Sequence, residues 1–193
     1  MTIPVFIDNN VWDFVFEKSL DLCAELPRDQ FSIYITREGE LEIEGVGPEL
    51  KAFIEDTIAR CGVQTDALFG FDEDGTPPEK RRYRGFGEGG RWGHEEEGEF
   101  MKAFPVGPGD RPSGLKKKEG DRAVAARAFH AVVLTGEKKK QSGPQRKTAP
   151  LKAPLKAAYE QRWKVLYLED YKASGQSLSA FIKAAWSSGT SRA

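Results

Sequence analysis

The sequence predicts an α/β fold built on an open, mostly parallel sheet. Two observations carry this. Short apolar runs at 3–8, 31–35, 132–134 and 165–168 alternate with segments of helical periodicity. The run Ile-Pro-Val-Phe-Ile-Asp at 3–8 is apolar at successive positions, as in a strand covered on both faces.

Each element follows in order. Pro4 is tolerated only near the start of the first strand. Trp12, Phe16, Ser19, Leu20 and Cys23 keep helical spacing, with Asn9 or Asn10 as N-cap and Pro27 as the stop. Residues 31–35 give the second strand. Residues 36–44 fit two readings: Glu38, Glu40, Glu42 and Glu44 alternate like a strand, while Thr36 would also start a helix. Residues 48–60 form a clear amphipathic helix, with Leu50, Phe53, Ile54, Thr57 and Ile58 on one face, Pro48 in its first turn and Gly62 at its stop. Residues 63–71 suit an edge strand. From 70 to 115 Gly, Pro, Glu and Arg dominate, which reads as a long loop or insertion, about 72–115. A helix from 119, the strand at 132–134, a basic Pro-rich connection, a helix at 155–162, a strand at 165–168 and a last helix capped by Ser177 complete a single domain over 1–186. Residues 187–193 read as a tail.

Composition excludes several classes. No apolar run approaches the roughly 20 residues of a membrane helix. The first residues lack a basic n-region, so no signal peptide is expected. Two cysteines, Cys23 and Cys61, suggest neither a disulfide scaffold nor a zinc site and fit a reduced, cytoplasmic compartment. The net charge of −1 hides an asymmetry: residues 1–110 hold 11 Lys and Arg against 24 Asp and Glu, and residues 111–193 hold 18 against 6. The halves either complement each other in the fold or serve a polyanionic or acidic partner.

Four carboxylates fall where a parallel sheet binds ligands, beyond the carboxyl ends of its strands. Asp8 ends the first strand, Glu42 follows the second, Asp121 opens a helix on its apolar face, and Glu137 lies two residues past Thr135. Such a group repels itself unless a divalent cation sits within it, and hard oxygen donors favour Mg²⁺ or Mn²⁺. The bland readings are a turn or cap for Asp8, a helix-dipole residue for Asp121 and solvated surface for Glu42 and Glu137. His94 and His130 show no spacing that suggests a nucleophilic relay.

The order of these blocks resembles the PIN-domain family of nucleases. Phe6-Ile7-Asp8-Asn9-Asn10-Val11 is similar to its opening strand and turn, and Ile35-Thr36 followed by Glu42-Ile43 to its second block. The helix led by Asp121 and the run Val132-Val133-Leu134-Thr135-Gly136-Glu137 are similar to its third and fourth. The resemblance covers roughly 1–70 and 119–170. It implies a three-layer α/β/α sandwich with a five-stranded parallel sheet. It also implies a metal-dependent endoribonuclease in which Asp8, Glu42, Asp121 and Glu137 hold Mg²⁺ or Mn²⁺, supported by Asn10 and Thr135. Glu137 stands where the family more often has Asp, and Glu38 and Glu40 compete with Glu42 for register. The expected partners are RNA, single-stranded DNA, an antitoxin or other protein, or a second copy in a homodimer. Lys116, Lys117, Lys118, Lys138 and Lys139 flank two of the carboxylates and suit phosphate contacts. Arg81, Arg82, Tyr83, Arg84, Phe86, Arg91 and Trp92 interleave cations and rings, either as a nucleic-acid flap or as self-packed surface. The rival functions are a catalytically degenerate domain that binds RNA or protein, and a phosphohydrolase or receiver-like switch with Asp8 as acceptor.

Overall fold

The computed structural model of the protein describes residues 2–107, 111, 113–137 and 153–188. Five strands, β1 (Ile3–Ile7), β2 (Phe31–Thr36), β3 (Gln64–Asp66), β4 (Val132–Thr135) and β5 (Val165–Tyr167), form one sheet in the order β3-β2-β1-β4-β5. Every pairing is parallel. The chain therefore enters at the centre of the sheet, winds to one edge, and returns to fill the other.

Strand periodicity places alternate residues on opposite faces. Val5, Ile7, Ile33, Ile35, Val132 and Leu134 join one core, and Phe6, Val133, Val165 and Tyr167 join a second. Helices α1 (Asn10–Glu17), α2 (Leu22–Glu25), α4 (Pro48–Cys61), α8 (Leu168–Ser174) and α9 (Leu178–Ser188) supply residues to the first core. Helices α5 (Glu95–Ala103), α6 (Glu119–Arg127) and α7 (Pro154–Glu160) supply the second. Three layers result, and β1 and β4 are buried because both faces are covered.

Several boundaries differ from the sequence expectation for local reasons. The ambiguous segment after β2 is a helix, α3 (Arg37–Ile43), because the Thr36 hydroxyl accepts the Gly39 N–H at 3.0 Å and caps it. The first helix is broken in two: Ser19 takes a left-handed backbone (φ 47°) and the Asp21 carboxylate accepts the Cys23 N–H to restart it. Asn9 sits at the start of α1 but makes no side-chain cap. The edge strand shrinks to three residues, and β5 gives way to α8 at Leu168. Within 70–115, a 3-10 turn (Pro78–Lys80) and α5 interrupt the expected loop, and Phe100 is buried in the second core.

The break before α2 overturns one expectation outright. Cys23 and Cys61 are not separate thiols: they form a disulfide that ties α2 to the end of α4 across 38 residues. Closing a loop of that size restricts the unfolded chain by about 4 kcal/mol. Urea unfolding with and without reductant should therefore differ by a sizeable fraction of that figure, and Cys23→Ser should match the reduced protein. Identical midpoints would show that the bridge contributes nothing.

Candidate functional site

The carboxyl edge of the sheet carries a cleft of about 320 Å³ lined by Asp8, Asn9, Asn10, Trp12, Glu42 and Asp121, among others. Three of the four expected carboxylates thus share one cavity. The parallel topology brings them there: Asp8 follows the central strand, Glu42 lies on the helix after β2, and Asp121 opens the helix before β4. Gly120 makes the approach of α6 close. A Cβ there would lie 3.0–3.3 Å from the Glu42 carboxyl group, which would have to give by a few tenths of an ångström.

Asp8 is 8% exposed and has no ion-pair partner among the described residues. The Thr135 hydroxyl donates to its Oδ2 at 2.7 Å. Burial pushes the Asp8 carboxyl up to about 7 against that hydrogen bond, and the charges of Asp121 and Glu137 push the same way. Asn10 closes the floor of the site: its Oδ1 accepts the Gly136 N–H at 2.5 Å and lies 3.4 Å from the Thr135 hydroxyl. Glu137 does not line the cleft. Its N–H donates to the Thr135 hydroxyl at 3.1 Å, and its charge acts on Asp8.

Glu42 is fixed by a residue that sequence reasoning treated only as a cap. Asn9 Nδ2 donates to Glu42 Oε2 at 2.8 Å and to the Gly39 carbonyl at 3.0 Å. The signal for it was the second amide beside Asp8. Of the three competing glutamates Glu42 lines the cleft, whereas Glu40 pairs with Arg37 at 2.6 Å and Glu38 does not line it. On its other oxygen, Glu42 holds Arg111 at 2.6 Å. Lys116 and Lys117 are exposed and Lys118 half-buried just before α6, beside Asp121. Lys138 and Lys139 lie outside the described residues.

A second charged group was not legible as a unit. Asp66, at the end of β3, takes Arg91 at 2.6 Å and Arg127 at 2.6 Å. Glu97 takes both amino groups of Arg91, at 2.6 and 2.8 Å, and Arg127 at 3.3 Å. Glu97 is fully buried and Arg127 is 1% exposed. Burial would raise Glu97, but the Arg91 hydrogen bond and the Arg127 charge reverse this and hold it at about 2. Arg82 is similarly committed, to Glu119 at 2.5 Å. Two cations of the segment that the sequence left open as a nucleic-acid flap or self-packed surface, Arg82 and Arg91, are therefore held in ion pairs within the fold.

Among the described residues, His94, Glu97 and His130 place ligand atoms within 4.8 Å of one another, a spacing that could hold a metal. Burial lowers His130 to about 4, so its ring is neutral. The Glu97 oxygens, however, already accept from Arg91 and the His94 N–H and pair with Arg127, and a dication there would face both guanidinium groups. In the Asp8 cleft the Asp8 carboxyl lacks any cationic partner among the described residues and the charged donors are all oxygens, the type a hard cation takes, although Glu42 there holds Arg111.

The chain matches no protein-family model, no curated protein and no solved structure. Among the described residues, no helix is long and apolar enough to cross a membrane.

Proposed function

We propose that the protein is a metal-dependent endonuclease that hydrolyses RNA phosphodiester bonds in the Asp8 cleft, with single-stranded DNA as a further substrate. The observation that carries this reading is the buried, cation-free carboxyl of Asp8 at the carboxyl end of the central strand, facing Asp121 and Glu42 in one open cleft. The five-stranded parallel sheet agrees with what the resemblance to PIN domains implies. Asp8, Glu42 and Asp121 would hold Mg²⁺ or Mn²⁺, and Glu137 would enter through its charge on Asp8. A bound ion there supplies a more acidic water and charge stabilisation at phosphorus.

The chain's own groups have separable tasks. Thr135 and Asn10 fix Asp8 and the turn that follows β4. Asn9 aims Glu42 into the cleft. Lys116, Lys117 and Lys118 steer the phosphate chain to the cleft mouth. A cytoplasmic location goes with an RNA substrate, and the Cys23–Cys61 bridge weighs against it.

One observation favours a second reading. Arg111 occupies Glu42, so a domain that binds RNA or a protein such as an antitoxin without cleaving has a resident cation where the metal would sit. Cleavage of mixed single-stranded RNA and DNA with Mn²⁺, Mg²⁺ or EDTA separates the two. The nuclease reading expects metal-dependent cleavage that falls a hundredfold or more in Asp8→Asn and in Asp121→Asn. Full activity in both variants overturns it, and salt-sensitive RNA binding without cleavage and without metal dependence selects the second reading.

A further inference from the structure

Three of the most exposed rings in the described chain lie together. Phe71, Phe86 and Trp92 are 70%, 82% and 77% exposed. All three contact Phe69, at ring-centroid distances of 5.7, 4.9 and 4.5 Å. They are not on a loose loop. Backbone hydrogen bonds join Phe69 to Arg91 at 2.7 Å and Arg84 to Leu68 at 3.0 Å, and Arg91 is clamped to Asp66 and Glu97. A rigid patch of exposed rings marks a contact surface.

Beside the rings is a cavity of about 530 Å³ whose walls include Phe71, Tyr83 and Phe86. Four carboxylates line it, Asp72, Glu73, Asp74 and Glu88, against one cation, Arg81. Two are committed: Asp72 accepts the Arg82 and Tyr83 N–H groups, and Glu88 accepts the Gly85 N–H. The Glu73 and Asp74 side chains make no hydrogen bond or ion pair among the described residues.

We propose that this pocket is a docking site for an arginine or lysine side chain presented by a partner protein. A guanidinium stacks on ring faces and takes carboxylates in its fork, and the pocket offers both. The excess of carboxylates decides against a phosphate chain as the occupant, since its charges would be repelled. The site is separate from the Asp8 cleft, with which it shares no lining residue. It stands whether or not the protein is a nuclease.

Anisotropy of a fluorescein-labelled hexa-arginine peptide at 150 mM salt tests this. Phe86→Ala, and the double variant Glu73→Gln/Asp74→Asn, should each weaken binding about fivefold or more. All three side chains are at the surface of the pocket, so the fold should be unaffected, as circular dichroism would verify. The charge-matched control Glu17→Gln/Glu49→Gln, on exposed positions of α1 and α4, should change binding less than twofold. Equal weakening in control and pocket variants would mean diffuse attraction and overturn the proposal. Binding of a labelled oligo(dT) that is lost in Phe86→Ala would also overturn it, in favour of a base-stacking surface.

Discussion

Asp8→Asn should make the metal-free protein more stable while removing the proposed nuclease activity. In the wild type, folding carries the Asp8 carboxyl from a usual value of 3.8 to about 7. The folded state thus prefers the protonated form. Its contribution to stability is complete below about 3.8 and is lost as the pH rises through about 7. At pH 8 the ionised group costs on the order of 2–4 kcal/mol relative to a neutral one. Asparagine keeps an oxygen for the Thr135 hydroxyl and has no charge to desolvate. Urea midpoints of wild type and Asp8→Asn should therefore nearly coincide at pH 4 and separate progressively to pH 8, with the variant more stable. A variant less stable at pH 8 would contradict this account of the cleft. Mn²⁺ should reverse the order, raising the wild-type melting temperature more at pH 8 than at pH 6 and leaving the variant unmoved.

Glu97→Ala should have the largest effect on the fold itself. Removing it leaves Arg127, 1% exposed, with Asp66 as its only carboxylate partner among the described residues, and leaves the Arg91 amino groups with Asp66 and the Trp92 carbonyl alone. Breaking a buried charge group by deleting one member costs about 3–5 kcal/mol. Substituting the neighbouring Glu95 or Glu96, both exposed, should cost almost nothing. The acid limb gives an independent reading. Glu97 is held at about 2, so its stabilisation is present above the ordinary carboxylate value of about 4.5 and is lost as the pH falls towards 2. The wild type should lose stability across that range, and Glu97→Ala should lose less. Equal stability of the Glu97 and Glu95 variants at pH 7 would remove the network from any structural role.

The contrast between these two sites shows what a sequence displays. β1, β2, α4 and α6 were legible because burial imposes a period on apolar residues, and Asp8 and Asp121 were legible because they sit at element boundaries. Glu97 was not, because it stands in a run of three glutamates with nothing local to say which turns inward. The choice is made by Arg91 and Arg127, brought up from other elements. The disulfide failed for a similar reason. Cys23 and Cys61 lie in helix-like segments 38 residues apart, and only the interruption at Ser19 and Asp21 turns one towards the other. Asn9 and Arg111 were hidden because their importance lies wholly in what Glu42 needs.

The order β3-β2-β1-β4-β5 has a consequence for synthesis of the chain. β1 is made first, yet its second neighbour is β4, and the hydrogen bond that seats Asp8 comes from a residue 127 positions later. The first 100 residues can pair β1, β2 and β3, but one side of the central strand then stays open and Asp8 has no Thr135. Contacts of such long range form late and slowly. A ribosome-bound or truncated chain ending between residues 122 and 131 therefore carries Asp8, Glu42 and Asp121 but lacks β4 and the Thr135 hydroxyl that holds Asp8. The seating of Asp8 is complete only after most of the molecule has left the ribosome.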